Sequence, residues 1–115
     1  MEEGKCTFCQ IIDGEIKAQV VHETPEVMVI KDKRPRAPVH LLIIPKTHVP
    51  SVNEVNEILA QKMGFLFLAA KEASHKYSLS SNGYKLLVNV GRGGGQDIDH
   101  IHMHLFGGIK PREKV

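Results

Sequence analysis

No stretch of this sequence is apolar for long enough to cross a membrane. The longest apolar runs, Leu41 to Ile44 and Phe65 to Ala70, fall far short of the ~18–20 residues a span needs. A charge bias is missing too. Fifteen Lys+Arg against thirteen Asp+Glu leave a formal net charge of +2, which argues against a specific nucleic-acid face and against an acidic tail. The start, Met1-Glu2-Glu3-Gly4-Lys5, has no apolar stretch behind it, so no secretory signal is expected and the cytoplasm is the expected location. Repeats, low-complexity tracts and linkers are absent. At 115 residues the chain reads as a single domain, 1–115, whose modest core a partner subunit would supplement. Tryptophan is absent and tyrosine occurs twice, yet histidine occurs seven times. That surplus is what the composition leaves to be explained.

Cysteine is nearly absent as well, and its two copies, Cys6 and Cys9, are spaced C-x-x-C. In a reducing compartment such a pair is more often a metal clip or a redox pair than a structural disulfide. A thioredoxin-like pair would follow a strand, and no strand precedes this one. A zinc site would need two further ligands. Two unrelated residues at the start of a short helix are the plain alternative.

Hydrophobic spacing predicts the elements. Phe8 to Ile12 reads as a short helix stopped at Asp13-Gly14. Val20 to His22 is a short strand, Val27 to Ile30 and His40 to Ile44 are buried strands, and Pro35 and Pro38 keep the intervening segment a loop. Pro50 to Glu54 opens a long helix, with Ser51 and Glu54 at capping-box spacing. Val55, Ile58, Leu59, Met63, Leu66, Ala70 and Ala73 keep a helical period on one buried face. Tyr84 to Val90 reads as a third core strand, Gly91 to Gly95 as a glycine-dense loop, and Ile98 to Phe106 as the last strand before Gly107-Gly108 and a polar tail. The expected fold is α+β, with a mainly antiparallel meander of five strands, one long helix and one short one.

Residues 100–105 alternate strictly: His100-Ile101-His102-Met103-His104-Leu105. In a strand, Ile101, Met103 and Leu105 face the core, and the three imidazoles stand in a row on the other face, roughly 6.6–7 Å apart. Two chemistries use such a row. Three histidines are a ligand set for hydrolytic zinc. Alternatively, imidazole itself attacks and moves protons near neutral pH. The loop just upstream, Asn89-Val90-Gly91-Arg92-Gly93-Gly94-Gly95-Gln96, favours the second, because runs of backbone N–H groups can cradle a phosphate. No Gly-Lys-Ser/Thr follows, so this is not a P-loop.

With these residues in view, the chain resembles the histidine triad (HIT) family, whose signature alternates three histidines with apolar residues. Residues 100–106 (HIHMHLF) match it fully, and Phe8-x-x-Ile11-Ile12 and Ala37-Pro38-x-His40-x-Leu42-x-Ile44-Pro45-Lys46 extend the match along most of the chain. Leu105-Phe106-Gly107-Gly108 is similar to the HINT branch. The resemblance implies a homodimer whose sheets join into a continuous ten-stranded one. It implies hydrolysis of purine nucleoside 5′-phosphoramidates, such as AMP linked to an amine or lysine, through a nucleotidyl-histidine intermediate and with no cofactor needed for the chemistry. Other readings are a dinucleoside polyphosphate hydrolase or transferase, a nucleotide-binding regulatory protein with little turnover, and a zinc hydrolase using all three triad histidines.

Carried over residue by residue, the resemblance makes His102 the nucleophile, puts His104 near the leaving group and phosphate, and has His40 support the row that His100 begins. Asp32 matches the ribose-binding acid. Phe8, Ile11 and Ile16 match the residues around the base. Asn89, Gly95, Gln96, Asp97 and Ile98 fall in the phosphate-binding stretch. Asp97 stands where relatives carry Ser or Thr, and an ionised Asp cannot donate to a phosphate, although it could suit a cationic leaving group. Asp99 replaces an aromatic or apolar residue. The resemblance also implies a structural zinc on Cys6, Cys9, His48 and His100, an ordinary closed Cys₂His₂ set. His22 and His75 read as ordinary strand-end and helix-surface residues.

Overall fold

A computed structural model describes residues 6–109, so the acidic start and the polar tail lie outside the described residues. In chain order the elements are α1 (Thr7–Ile12), β1 (Val20–Glu23), β2 (Val27–Lys31), β3 (Val39–Pro45), a 3₁₀ turn (Val52–Glu54), α2 (Glu57–Lys76), β4 (Tyr84–Leu87), a second 3₁₀ turn (Arg92–Gly94) and β5 (Met103–Gly107). The five strands form one sheet in the order β1-β2-β3-β5-β4, and every neighbouring pair is antiparallel. The α+β class with one long and one short helix is as expected. The meander is not complete, because β5 inserts between β3 and β4. The α2 crossover releases β4 from its sequence neighbour, and the buried Leu41, Ile43, Met103 and Leu105 make β3 and β5 the better pair.

The strict alternation of the strands builds two cores on the two faces of the sheet. Val27, Val29, Leu41, Ile43, Met103 and Leu105 pack beneath Leu66, Ala69, Ala70 and Ala73 of α2. Met28, Ile30, Leu42 and Ile44 pack instead against Cys6, Phe8 and Ile11 at α1. Continuous apolar strands such as β2 are what a sheet covered on both faces demands.

Three expected boundaries move. Ser51 and Glu54 do interact, Ser51 Oγ donating to Glu54 Oε1 at 2.6 Å, but they close the 3₁₀ turn. The helix proper starts later, where Asn56 Oδ1 accepts from Leu59 N–H at 2.9 Å. Ile58, expected on the buried face, lies in the first turn of α2 and is 74% exposed, while Val55, Leu59, Met63, Leu66, Ala70 and Ala73 do join the core on that face. The strand expected over 84–90 ends at Leu87 and is half-buried, as suits an edge strand. The strand expected from Ile98 begins its ladder at Met103; upstream, Ile101 N–H donates to Val49 O instead.

Gly107 ends β5 where any side chain would have to displace Leu79. A Cβ there would lie 2.4 Å from Leu79 Cδ1 and 3.1 Å from its Cγ, and Leu79 is itself buried in the α2-side core. Gly107→Ala is expected to cost about 1–3 kcal/mol by overpacking. A thermal melt would register this as a midpoint lowered by roughly 5–15 °C.

Candidate active site and metal centre

The α1 face of the sheet holds a cleft of about 720 Å³, within the usual range for a small-molecule site. Phe8, Ile11, Ile16, Ile30, Leu42 and Ile98 supply its apolar lining. His102, His104, Asp32 and Asp97 supply polar groups, and Lys17, Lys31, Lys33 and Arg34 a basic rim. The sequence signal for Ile30 and Leu42 was available, since the strand alternation that aims His40 also aims Leu42. The basic rim carried no motif.

The triad histidines are all buried, at 0–8% exposure, and only His104 lies within the ladder. The alternation nevertheless holds, because the chain runs extended into β5: Ile101, Met103 and Leu105 face α2, while the rings of His102 and His104 approach to 5.2 Å on the other side. His100 and His40 stand behind the cleft wall.

Each tautomer follows from partners that can only donate or only accept. The backbone N–H of Arg36 donates to His40 Nδ1 at 3.1 Å, so neutral His40 carries its proton on Nε2. That nitrogen lies 2.9 Å from His104 Nδ1, so neutral His104 presents Nε2–H. His102 Nδ1 lies 2.8 Å from His100 O, and a carbonyl only accepts. Neutral His102 therefore has a bare Nε2 lone pair. By the same reasoning His100 Nε2 donates to Pro45 O at 2.8 Å, which leaves its Nδ1 bare. Arg36 contributes through its backbone amide, which no side-chain pattern announces. Its guanidinium also lies 5.1 Å from the Phe106 ring centroid, and Phe106 stacks on His104.

Burial, with the neighbouring His102, His40 and Arg36, lowers His104 to about 4. His40 is lowered by burial despite the pull of Asp32, whose Oδ2 is 3.4 Å from His40 Nε2. Both imidazoles are therefore neutral at pH 7. The unfolded chain takes up protons below its ordinary value of ~6.5, whereas the folded His104 does so only near 4. Stability is thus full above about pH 6.5 and falls as pH drops toward 4, by roughly 3 kcal/mol for His104 alone. Melting midpoints across pH 4–7 test this, and His104→Asn should flatten the slope.

Asp32, His40 and His104 also lie close enough to hold a cation. With the second nitrogen of His40 already accepting from Arg36, however, the cluster works as a hydrogen-bonded relay. Asp32 Oδ1 accepts the Arg34 N–H at 2.7 Å, and the carboxylate keeps lone pairs toward the cleft.

The glycine loop does not line the cleft. Asn89 Nδ2 donates to Gly94 O at 2.7 Å. Gln96, 2% exposed, has its side chain fully committed: Nε2 donates to Pro50 O and Ile98 O, and Oε1 accepts from Gly91 N–H. Gly94, Gly95 and Gln96 spend their amides on bonds within the loop. Asn89, Gly95 and Gln96 thus shape the loop, while Asp97 and Ile98 reach the cleft. Among the described residues the Asp97 and Ile98 amides donate to no protein acceptor. Asp99 is exposed and pairs with Arg92 at 3.1 Å.

On the far side of His100, Cys6, Cys9, His48 and His100 converge, their ligand atoms all within 4.8 Å of one another. His100 Nδ1 lies 3.3 Å from Cys6 Sγ, 3.6 Å from Cys9 Sγ and 3.0 Å from His48 Nδ1, and Cys9 Sγ is 3.3 Å from His48 Nδ1. Tetrahedral zinc with its usual bond lengths sets ligands about 3.3–3.8 Å apart, so these four fit the ion. The bare Nδ1 of His100 is the lone pair a metal requires. Burial and the adjacent Cys6 push the Cys9 thiol up to about 11. A bound cation would reverse that shift. None of the four residues lines the cleft. His22 lies in β1 and His75 is exposed on α2, both outside the two clusters.

A family model described as "HIT domain" matches residues 13–110. The chain is 39% identical over 101 residues to a purine nucleoside phosphoramidase of Escherichia coli K12, covering 88% of this chain and 85% of that one. Two solved structures superpose closely. A HIT family hydrolase from Legionella pneumophila Philadelphia 1 has a TM-score of 0.89 at 44% identity, covering 92% of this chain and 95% of its own. A HIT family hydrolase from Clostridium thermocellum has a TM-score of 0.93 at 39% identity, covering 100% and 99%.

Proposed function

The chain belongs to the HIT domain family, and from that premise we propose that this hydrolase cleaves purine nucleoside 5′-phosphoramidates at the α-phosphorus through a nucleotidyl-His102 intermediate. One observation carries the reading: His102 Nδ1 is tied to the His100 carbonyl, which leaves Nε2 bare beside the Nε2–H of His104. A neutral imidazole held in one tautomer is a nucleophile that needs no prior deprotonation. His102 Nε2 bonds to phosphorus, the P–N bond breaks, and the amine leaves with a proton taken from solvent. A water oxygen then bonds to phosphorus as the His102 Nε2–P bond breaks, freeing His102, and the proton that water loses returns to solvent. His104 Nε2–H and the unpartnered amides of Asp97 and Ile98 meet the phosphoryl oxygens. Asp32 takes the ribose hydroxyls, and Phe8, Ile11 and Ile16 the base. Asn89, Gly95 and Gln96 act by holding the loop that presents those amides.

Cys6, Cys9, His48 and His100 would hold a structural zinc, supplying a crosslink between α1 and the sheet. The proposal extends to a cytoplasmic homodimer, a ten-stranded sheet joining two copies at one of the open edges, β1 or β4. The basic rim of Lys17, Lys31, Lys33 and Arg34 favours a second reading, in which the substrate is a longer anion such as a dinucleoside polyphosphate.

The discriminating experiment assays an adenosine phosphoramidate and a dinucleoside polyphosphate, each with and without chelator present during the reaction. The first reading expects faster phosphoramidate turnover, indifferent to brief chelation. Faster polyphosphate turnover would replace it with the second. Nucleotide binding without turnover of either would point to a regulatory protein.

A further inference from the structure

We infer that the Cys6/Cys9/His48/His100 centre controls the nucleotide cleft: metal bound at one and nucleotide bound at the other each tighten the other's binding. The inference rests on the zinc and nucleotide readings above. Its ground is that two pieces of the chain belong to both sites.

The first is α1. Cys6 caps it and Cys9 sits one turn on, both toward the thiol–imidazole cluster, while Thr7, Phe8 and Ile11 line the cleft. The Phe8 ring meets His102 edge-on at 5.0 Å and His100 at 5.8 Å. A helix of six residues is far below the length that is stable alone. Its position therefore depends on what anchors its two sides. The second piece is the segment 100–102. His100 gives its Nδ1 to the cluster and its carbonyl to His102 Nδ1. Whatever fixes the His100 ring also fixes the carbonyl that sets the His102 tautomer and direction.

Anchoring α1 and His100 through four ligands removes freedom that nucleotide binding would otherwise have to remove. Linkage then works in both directions: the factor by which metal strengthens nucleotide binding is the factor by which nucleotide strengthens metal binding.

The test measures both halves on the full chain under reducing conditions. Calorimetry gives the AMP dissociation constant for zinc-loaded and for chelator-stripped protein, with far-UV circular dichroism reporting whether the stripped protein stays folded. Competition with a chromogenic chelator gives the zinc dissociation constant with and without saturating AMP; both arms of that measurement start from folded, loaded protein. Stripping is expected to weaken AMP about fivefold or more, and AMP to tighten zinc by the same factor. Zinc constants that are equal with and without AMP overturn the inference and leave both underlying readings standing. Failure to take up stoichiometric zinc, or failure of the loaded protein to bind AMP, overturns it through the reading beneath. Phe8→Leu, which keeps an apolar residue on α1, should shrink the factor toward one, and an unchanged factor overturns the role given to the shared helix.

Discussion

His102→Ala is expected to lower phosphoramidate turnover by at least about 10⁴-fold, the scale on which removing a covalent nucleophile acts, while AMP affinity changes only a few-fold. The contrast follows from the geometry. His102 is one group on a cleft wall whose apolar contacts and remaining polar groups stay in place. The variant removes the atom that bonds to phosphorus and leaves most of what holds the nucleotide. Single-turnover kinetics with calorimetry separates the two effects. Residual turnover within tenfold of wild type would show that water attacks directly. His40→Ala should be milder, because His40 acts through His104. Its loss leaves His104 free to adopt either tautomer, only one of which presents a donor.

Replacing both Cys6 and Cys9 by Ser is expected to abolish stoichiometric zinc and to lower the melting midpoint by more than about 10 °C. Structural zinc sites bind with apparent energies of roughly 10–16 kcal/mol in small peptides, where most of that energy is used in folding. Here two hydrophobic cores contribute to folding as well. What metal adds is therefore smaller, a few kcal/mol, worth about 4–8 °C each in a domain of this size. A control isolates the cause. Without metal the Cys9 thiol, pushed up to about 11, is neutral at pH 7, so a hydroxyl in its place changes little. Chelated wild type and the double variant should melt together. A double variant melting well below the chelated protein would assign the loss to packing instead.

The sequence made the chemistry more legible than the boundaries, for identifiable reasons. Side-chain alternation depends only on an extended backbone, so the reading of His100, His102 and His104 against Ile101, Met103 and Leu105 survived although the ladder covers only Met103 onward. Ladder formation depends on a neighbour, and which strand neighbours β5 is decided across the molecule. Ser51 and Glu54 do pair, but spacing alone cannot separate a 3₁₀ turn from the first turn of a helix, and it did not mark Ile58, in the true first turn of α2, as the one exposed member of its face. Gln96 was legible as a residue of the phosphate-binding stretch. That its amide is consumed by Pro50, Ile98 and Gly91 depends on a contact from a distant loop. The tautomer of His40 rests on a backbone amide, a partner every residue but proline carries and no sequence pattern marks.

The division of the sheet into two faces also bears on how such a chain can change over time. Val29, Ile43 and Leu105 sit under α2, whereas Leu42 and His104 share the opposite face with Phe8 of α1. Volume exchanges among the first group alter how tightly the long helix seats and leave the cleft wall untouched. A lineage can therefore adapt its working temperature by drift on one side of the sheet while its substrate preference is inherited intact on the other.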